Sequence, residues 1–191
     1  MFFKFAVGYR YIGIDRGKKI SMKFIYCPIC GRKLSEKNIG DEGLIKYCNA
    51  CNRPYFDSPS SCVEVLVINE YNQILLLKQN YISKTHWGIV SGYVNNGETL
   101  EEAAIREILG ETGQQVEKTQ YVESYYFKPN ELIMAGFIAF VKAKPFNDSN
   151  EVDDIMWCEI NEVNKYIARD NNMSGIHFDN SMRLLNLGTY L

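Results

Sequence analysis

The 191-residue chain has no apolar run approaching the length of a membrane-spanning helix, so nothing in it reads as a bilayer segment. It has little net charge: 21 basic against 23 acidic residues leave −2, which gives no general attraction to nucleic acid or to a membrane surface, although local patches remain open. There are no internal repeats and no low-complexity tracts. Histidine is scarce: His86 and His177 are the only two, and they lack metal-ligand spacing, so neither is assigned a role. The N-terminal stretch MFFKFAVGYRYIGIDRGKKISMK lacks both a continuous apolar segment and a small-residue cleavage site, and so does not read as a signal peptide. Residues 1–21 are expected to be a mobile extension, an added strand, or the product of a mis-assigned start upstream of Met22. A cytoplasmic location without membrane attachment is the expectation.

What remains is an ordinary globular composition, 46% hydrophobic and 23% charged, enough to build one domain with a small appendage. The six cysteines divide into two groups. Cys27, Cys30, Cys48 and Cys51 form C-x2-C-x17-C-x2-C, within the range of a four-thiolate zinc site. Each pair suits one knuckle, and Gly31 follows the first as a tight turn requires. Closed tetrahedral four-cysteine sites are structural. Two disulfides are the alternative, disfavoured in a reducing compartment. Residues 22–56 therefore read as a zinc ribbon, with residues 57–61 as linker. Cys62 and Cys158 sit in apolar, strand-like contexts and are expected to be buried without a role.

Residues 92–114, GYVNNGETLEEAAIREILGETGQ, carry most of the functional signal. Thr99 is a good N-cap, and Glu102 stands where a capping box needs it. A helix is predicted over residues 100–112, ended by Gly113. Leu100, Ala103, Ala104 and Ile108 recur at helical spacing and should face a core. Glu107 and Glu111 are i and i+4, so their carboxylates share one face. Such a like-charge pair weakens an isolated helix, and a hard divalent cation is the natural compensation; a solvated acidic face is the plain alternative. Strands are predicted over residues 62–68, 74–78, 87–90, 116–127, 132–141 and 155–158, and helices over 161–168 and 179–187.

The spacing from Gly92 through Glu98, Arg106, Glu107, Ile108, Glu111 and Gly113 resembles the G-x5-E-x7-R-E-U-x-E-E-x-G-U box of the Nudix hydrolases, where U is a bulky apolar residue. Gly110 replaces the first Glu of the EE pair, and Gln114 the closing apolar residue. The resemblance implies an α/β fold, an α/β/α sandwich around a mixed sheet, spanning residues 62–191. It implies a Mg²⁺- or Mn²⁺-dependent pyrophosphohydrolase with Glu107, Arg106 and Glu98 at the catalytic site. Glu107, Glu111, Glu151 and the Ser91 backbone would approach the cation. Gly110 removes one customary metal oxygen.

A zinc ribbon directly before this box is similar to the NADH pyrophosphatase branch, which cleaves NAD(H) to nicotinamide mononucleotide and AMP and can remove NAD caps from RNA. Ser124-Tyr-Tyr-Phe-Lys-Pro-Asn-Glu-Leu132 occupies the slot of that branch's SQPWPFPxS array, with Ser124 identical and Phe127 in place of Trp. Glu151 to Trp157 resembles its E-x5-W stretch. Substrate-contact candidates are Phe56, Ser124, Tyr125, Phe127 and Ser181. Tyr125 and Phe127 should share one strand face, with Tyr126 on the other. The expected substrate is a dinucleotide or nucleoside diphosphate derivative, with NAD-capped RNA and a homodimer left open. Pro129 sits about where a proline recurs in Nudix enzymes that cleave ADP-ribose, a second substrate reading. A non-catalytic nucleotide-sensing or RNA-binding module is the alternative of another class.

Overall fold

The computed structural model describes residues 24–147, 149–169 and 172–187, so the expected extension over residues 1–21 lies outside the described residues. The chain divides into two compact units, one reaching Ser60 and including Pro129–Glu131, the other comprising Ser61–Lys128 and the chain from Leu132 onward.

In the first unit, β1 (Ser35–Asn38), β2 (Leu44–Cys48) and β3 (Arg53–Tyr55) form an antiparallel sheet in that order. Gly31 takes a φ of +71° and closes the first knuckle, its N–H donating to the Cys27 carbonyl at 2.8 Å. The buried cluster is only Cys27, Leu34 and Cys48, with Phe24, Cys51 and Tyr55 packed around it. So few apolar groups offset little chain entropy.

The second unit is built on β4 (Ser60–Ile68), β5 (Gln73–Lys78), β6 (Val90–Tyr93), β7 (Val116–Phe127), β8 (Leu132–Val141) and β9 (Asp154–Glu159). They form one sheet in the order β7-β8-β4-β5-β9, with β6 added to the N-terminal half of β4. The helices are α1 (Leu100–Thr112) and α2 (Met173–Leu187). The side-chain period of two in β4 explains the layers. Val63, Val65 and Val67 join Ala103, Ala104 and Ile108 of α1 in one core. Leu66 and Ile68 join Phe178 of α2 in another. This is the α/β/α arrangement with a mixed sheet; its strand ladders pair antiparallel at β5–β9 and β7–β8, and Trp87 bridges Ile167 in parallel.

Helix α1 starts and stops where its caps dictate: Thr99 and Glu102 close a reciprocal capping box, and Gly113 sits at φ +75° with its N–H on Leu109 O. Leu100 departs from the expected core face, at 37% exposed, because it opens the helix beyond the sheet-facing stripe. Other elements also differ from the sequence reading. The strand expected over residues 87–90 begins at Val90, since Trp87 and Gly88 make only isolated bridges. Ser60 and Ser61, expected as linker, already pair in β4. Residues 160–165 form a 3-10 helix, the tighter coil favoured in short connectors. Helix α2 begins at Met173 rather than at 179, because the Asn172 side chain accepts the Ser174 N–H at 3.0 Å and caps it there.

Candidate functional site

One end of the larger unit gathers Gly92 from β6, the residues 93–98 turn, α1, and the segment around Glu151. Arg106 is the brace. Its Nε and Nη2 grip both Glu98 oxygens, at 2.9 and 2.6 Å, its Nη1 donates to Glu107 Oε1 at 2.7 Å, and Nη2 also reaches Tyr93 O at 2.8 Å. The planar guanidinium suits this two-pronged carboxylate contact. Glu98 also accepts the Asn95 N–H. The hydrogen bonds from Arg106, then from Asn95, hold its carboxyl down at about 2, while Arg106 is pushed further up. Glu98 is therefore a permanent anion committed to Arg106, and the two position Glu107 and the turn.

Gly92 has a steric reason. A Cβ there would lie 1.9 Å from Glu107 Oε1, so the Glu107 carboxylate packs directly on the Gly92 backbone. Ser91, also carried as a candidate, sits half-buried on β6 opposite Glu64 of β4.

Glu111 is the least ordinary residue here. It is 4% exposed; its Oε1 accepts from Gln79 Nε2 at 3.1 Å, and its Oε2 is buried with no hydrogen-bond partner. Burial, then the charge of Glu107, pushes its carboxyl up to about 8, with Glu151 adding to the rise. A buried carboxylate oxygen without a partner is costly, and an ion is one of the few things that repairs it. The donor set is all oxygen, which suits a hard divalent cation rather than a soft one. The carboxylates do not converge as tightly as the thiolates do: among the described residues, the cluster whose ligand atoms lie within 4.8 Å of one another is the four cysteines. Like charges repel, and Arg106 holds one Glu107 oxygen. Of the acidic residues near Glu151, Asp153 accepts the Asn80 N–H and Asp154 the Ile155 N–H, whereas Asp148 lies outside the described residues. Gly110 is exposed, with open space where a side chain would stand, so its loss of carboxylate is not forced by packing.

The substrate candidates fare differently. Tyr125 and Phe127 share the predicted face and pack on Cys62, Leu132 and Met134, with Met173 beside them; Tyr126 points away and is 60% exposed. Ser124 lies in β7 opposite Ala135 of β8. Phe56 belongs to the smaller unit and is 48% exposed. Ser181 is wholly buried on α2, its Oγ 3.5 Å from His177 Nε2, and offers nothing to a ligand there.

His177 had no role in the sequence reading, yet it is a buried hub. Its Nε2 faces Phe137 O at 2.9 Å and its Nδ1 faces Tyr125 Oη at 3.0 Å. A carbonyl only accepts, so Nε2 carries the proton and Tyr125 donates to Nδ1. The Tyr125 hydrogen is thus spent inside the fold, and its ring packs edge-on against His177. Burial lowers the His177 pKa to about 4, so the ring is neutral. Gly136 makes the room, since a Cβ there would meet the His177 ring at 2.6 Å and Tyr125 at 2.7 Å. Glu64 was also missed: it is 3% exposed, accepts from Ser174 Oγ at 3.0 Å, and is pushed up to about 7 by burial.

In the smaller unit the Cys27 and Cys51 sulfurs lie 3.8 Å apart and those of Cys30 and Cys48 3.5 Å apart, with all four thiols free. Disulfide sulfurs would sit at ~2.05 Å. Thiolates at ~2.3 Å from a shared tetrahedral centre lie ~3.8 Å from one another, which is the spacing found, so the residues fit zinc. Burial would raise the Cys27 thiol, but hydrogen bonds from Tyr55 and from the knuckle backbone outweigh it and bring it to about 6.

Residues 59–176 match the NUDIX domain family. The chain is 28% identical over 161 residues to the NAD-capped RNA hydrolase NudC of Photobacterium profundum, covering 84% of this chain and 59% of that protein. It is 32% identical over 152 residues to the chloroplastic Nudix hydrolase 19 of Arabidopsis thaliana, covering 75% and 34%. The chain spans about half the length of the curated relatives it matches, for example 50% of the NudC of Edwardsiella ictaluri. Among solved structures, a NUDIX hydrolase from Nitrosomonas europaea superposes with a TM-score of 0.68 at 22% identity, covering 85% of this chain and 91% of that one. The NUDIX domain of Shewanella oneidensis NrtR, solved with ADP ribose, gives 0.57 at 14% identity, covering 73% and 94%.

Proposed function

The chain belongs to the NUDIX family, and on that premise we propose that it is a Mg²⁺- or Mn²⁺-dependent pyrophosphohydrolase. Its substrate is NAD(H) or a related nucleoside diphosphate derivative, cleaved to nucleoside monophosphates. The observation that carries this is Glu111 beside Glu107, with its partnerless buried oxygen, on a helix braced by Arg106 and Glu98 against the Gly92 backbone. A divalent cation bound there would neutralise phosphate charge, orient the diphosphate and lower the pKa of an attacking water.

The chain's own residues do the rest. Glu107 and Glu111 supply ligand oxygens, with the Ser91 backbone and Glu151 as further candidates. Arg106 fixes the Glu107 carboxylate and, through Glu98, the turn from Tyr93 to Glu98. Water adds to phosphorus, the anhydride P–O bond breaks, and for NADH the products are reduced nicotinamide mononucleotide and AMP. Glu151 is the candidate for taking the proton of that water, because its carboxylate stands outside the backbone contacts that occupy Asp153 and Asp154. Phe127 and the Tyr125 ring are the candidates for stacking on a base, with Ser124 on the same strand; Phe56 of the ribbon unit is a separate substrate-contact candidate. We keep residues 22–56 as a structural zinc ribbon and 62–191 as the catalytic domain, of a cytoplasmic enzyme. The names of the NudC relatives support an NAD-capped RNA end as a larger form of the same substrate.

Chromatography of products after incubation with NADH, ADP-ribose, dinucleoside polyphosphates and FAD, with Mg²⁺ or Mn²⁺, tests the reading. Nucleoside monophosphate release from NADH is expected. Rapid turnover of ADP-ribose with NADH untouched would move the assignment to an ADP-ribose pyrophosphatase. No turnover of any of them would favour a nucleotide-sensing module.

A further inference from the structure

Gln79, the first residue past β5, lies outside the family box yet touches both elements that carry the candidate ligands. It is 8% exposed, and its Nε2 is 3.1 Å from Glu111 Oε1, 3.4 Å from the Glu151 carbonyl and 3.2 Å from Tyr81 Oη. Its own carbonyl accepts the N–H groups of Ile82 and Ser83, so the amide stands on an anchored turn. A carboxyl group is flat, and fixing Oε1 fixes where Oε2 points. The oxygen left over is the one buried without a partner. The type of residue matters as well. An arginine or lysine here would neutralise Glu111 and compete with a cation, whereas an amide orients the carboxylate and leaves its charge in place.

We propose that Gln79 is a positioning residue for the divalent-cation site: its amide aims the free oxygen of Glu111 and ties the Glu151 segment to α1, and so sets cation affinity. This rests on the reading of Glu111 as a ligand. Partners that orient a metal ligand in this way change affinity by about 10–100-fold when removed.

The test is a Mn²⁺ titration of the zinc-loaded full chain without substrate, following free Mn²⁺ by electron paramagnetic resonance. Wild type is compared with Gln79→Met, Gln79→Asn and Glu111→Gln, and each is checked for its melting temperature. Gln79→Met keeps the volume and removes the donor; Gln79→Asn keeps an amide but withdraws it by one methylene, so a folded variant is to hand if the first misfolds. Both are expected to weaken Mn²⁺ by about 10–100-fold with little change in melting temperature. Affinity within twofold of wild type in a folded Gln79 variant, while Glu111→Gln loses binding, overturns the proposal alone. If Glu111→Gln also binds as wild type does, Glu111 is not a ligand and the proposal falls with that reading.

Discussion

Replacing Gly92 by alanine adds one methyl group at the point where the site is tightest. The new Cβ would lie 1.9 Å from Glu107 Oε1, 2.1 Å from its Cδ and 2.5 Å from its Cγ. Since contacts under 3.0 Å are essentially never seen, the Glu107 carboxylate must retreat by at least about 1.1 Å. That retreat breaks the 2.7 Å contact with Arg106 Nη1, which the Glu98 grip leaves no freedom to follow. A misplacement of about 1 Å at a reacting centre costs on the order of 10²-fold in rate. Glu107 lies mid-helix but is only partly buried, so the carboxylate can swing toward solvent and the fold should survive. The expected result is a loss of about 10²-fold or more in kcat for nucleotide cleavage, measured by coupled phosphate release at saturating Mn²⁺, with a melting temperature close to that of wild type. Gly110→Ala is the control, because a Cβ there meets nothing within 4 Å. Wild-type turnover by Gly92→Ala would refute the argument that Glu107 must lie against this backbone.

Three other outcomes are expected of the same molecule. Glu107→Gln and Glu111→Gln should each lower turnover by about 10²–10³-fold while the protein stays folded, and near-normal turnover in either at saturating metal would contradict its assignment. Protein purified without added zinc should carry about one zinc per chain on Cys27, Cys30, Cys48 and Cys51, read by metal analysis, and a fully folded ribbon with none would end that assignment. His177 sets an acid limit. Its pKa falls from 6.5 in the unfolded chain to about 4 in the fold, so the stability it contributes is present above pH 6.5 and is lost as pH falls toward 4. That span corresponds to about 3 kcal/mol. Denaturant titrations at pH 7 and pH 5 should therefore show a smaller loss on acidification in His177→Gln than in wild type, and equal losses would mean that another group sets the limit.

Local patterning determined a great deal of this protein. Caps, period and a terminal glycine placed α1 at Leu100–Thr112, and the spacing of four cysteines singled out the four thiols that converge. The strands Val116–Phe127 and Leu132–Val141 were legible end to end because the first is rich in β-branched and aromatic residues, the second is a nearly continuous apolar run, and a turn-forming segment separates them. The helix and strand signals rest on neighbours within a few residues, which is the range that propensity and periodicity report, and the cysteine signal on a ligand spacing readable directly in the sequence. The fold decided what depends on distant partners. Gln79 meets Glu111 across 32 positions and Glu151 across 72, Tyr125 meets His177 across 52, and Glu64 meets Ser174 across 110. No local pattern marks a glutamine after a strand as the residue that aims a carboxylate, or a lone histidine as a buried hub. Nor could local pattern tell that Ser181 faces inward, because its burial depends on the packing of α2 against β7 and β8. Hydrogen bonds between groups far apart in sequence form only where packing has already brought their elements together and excluded water, so their geometry belongs to the folded structure.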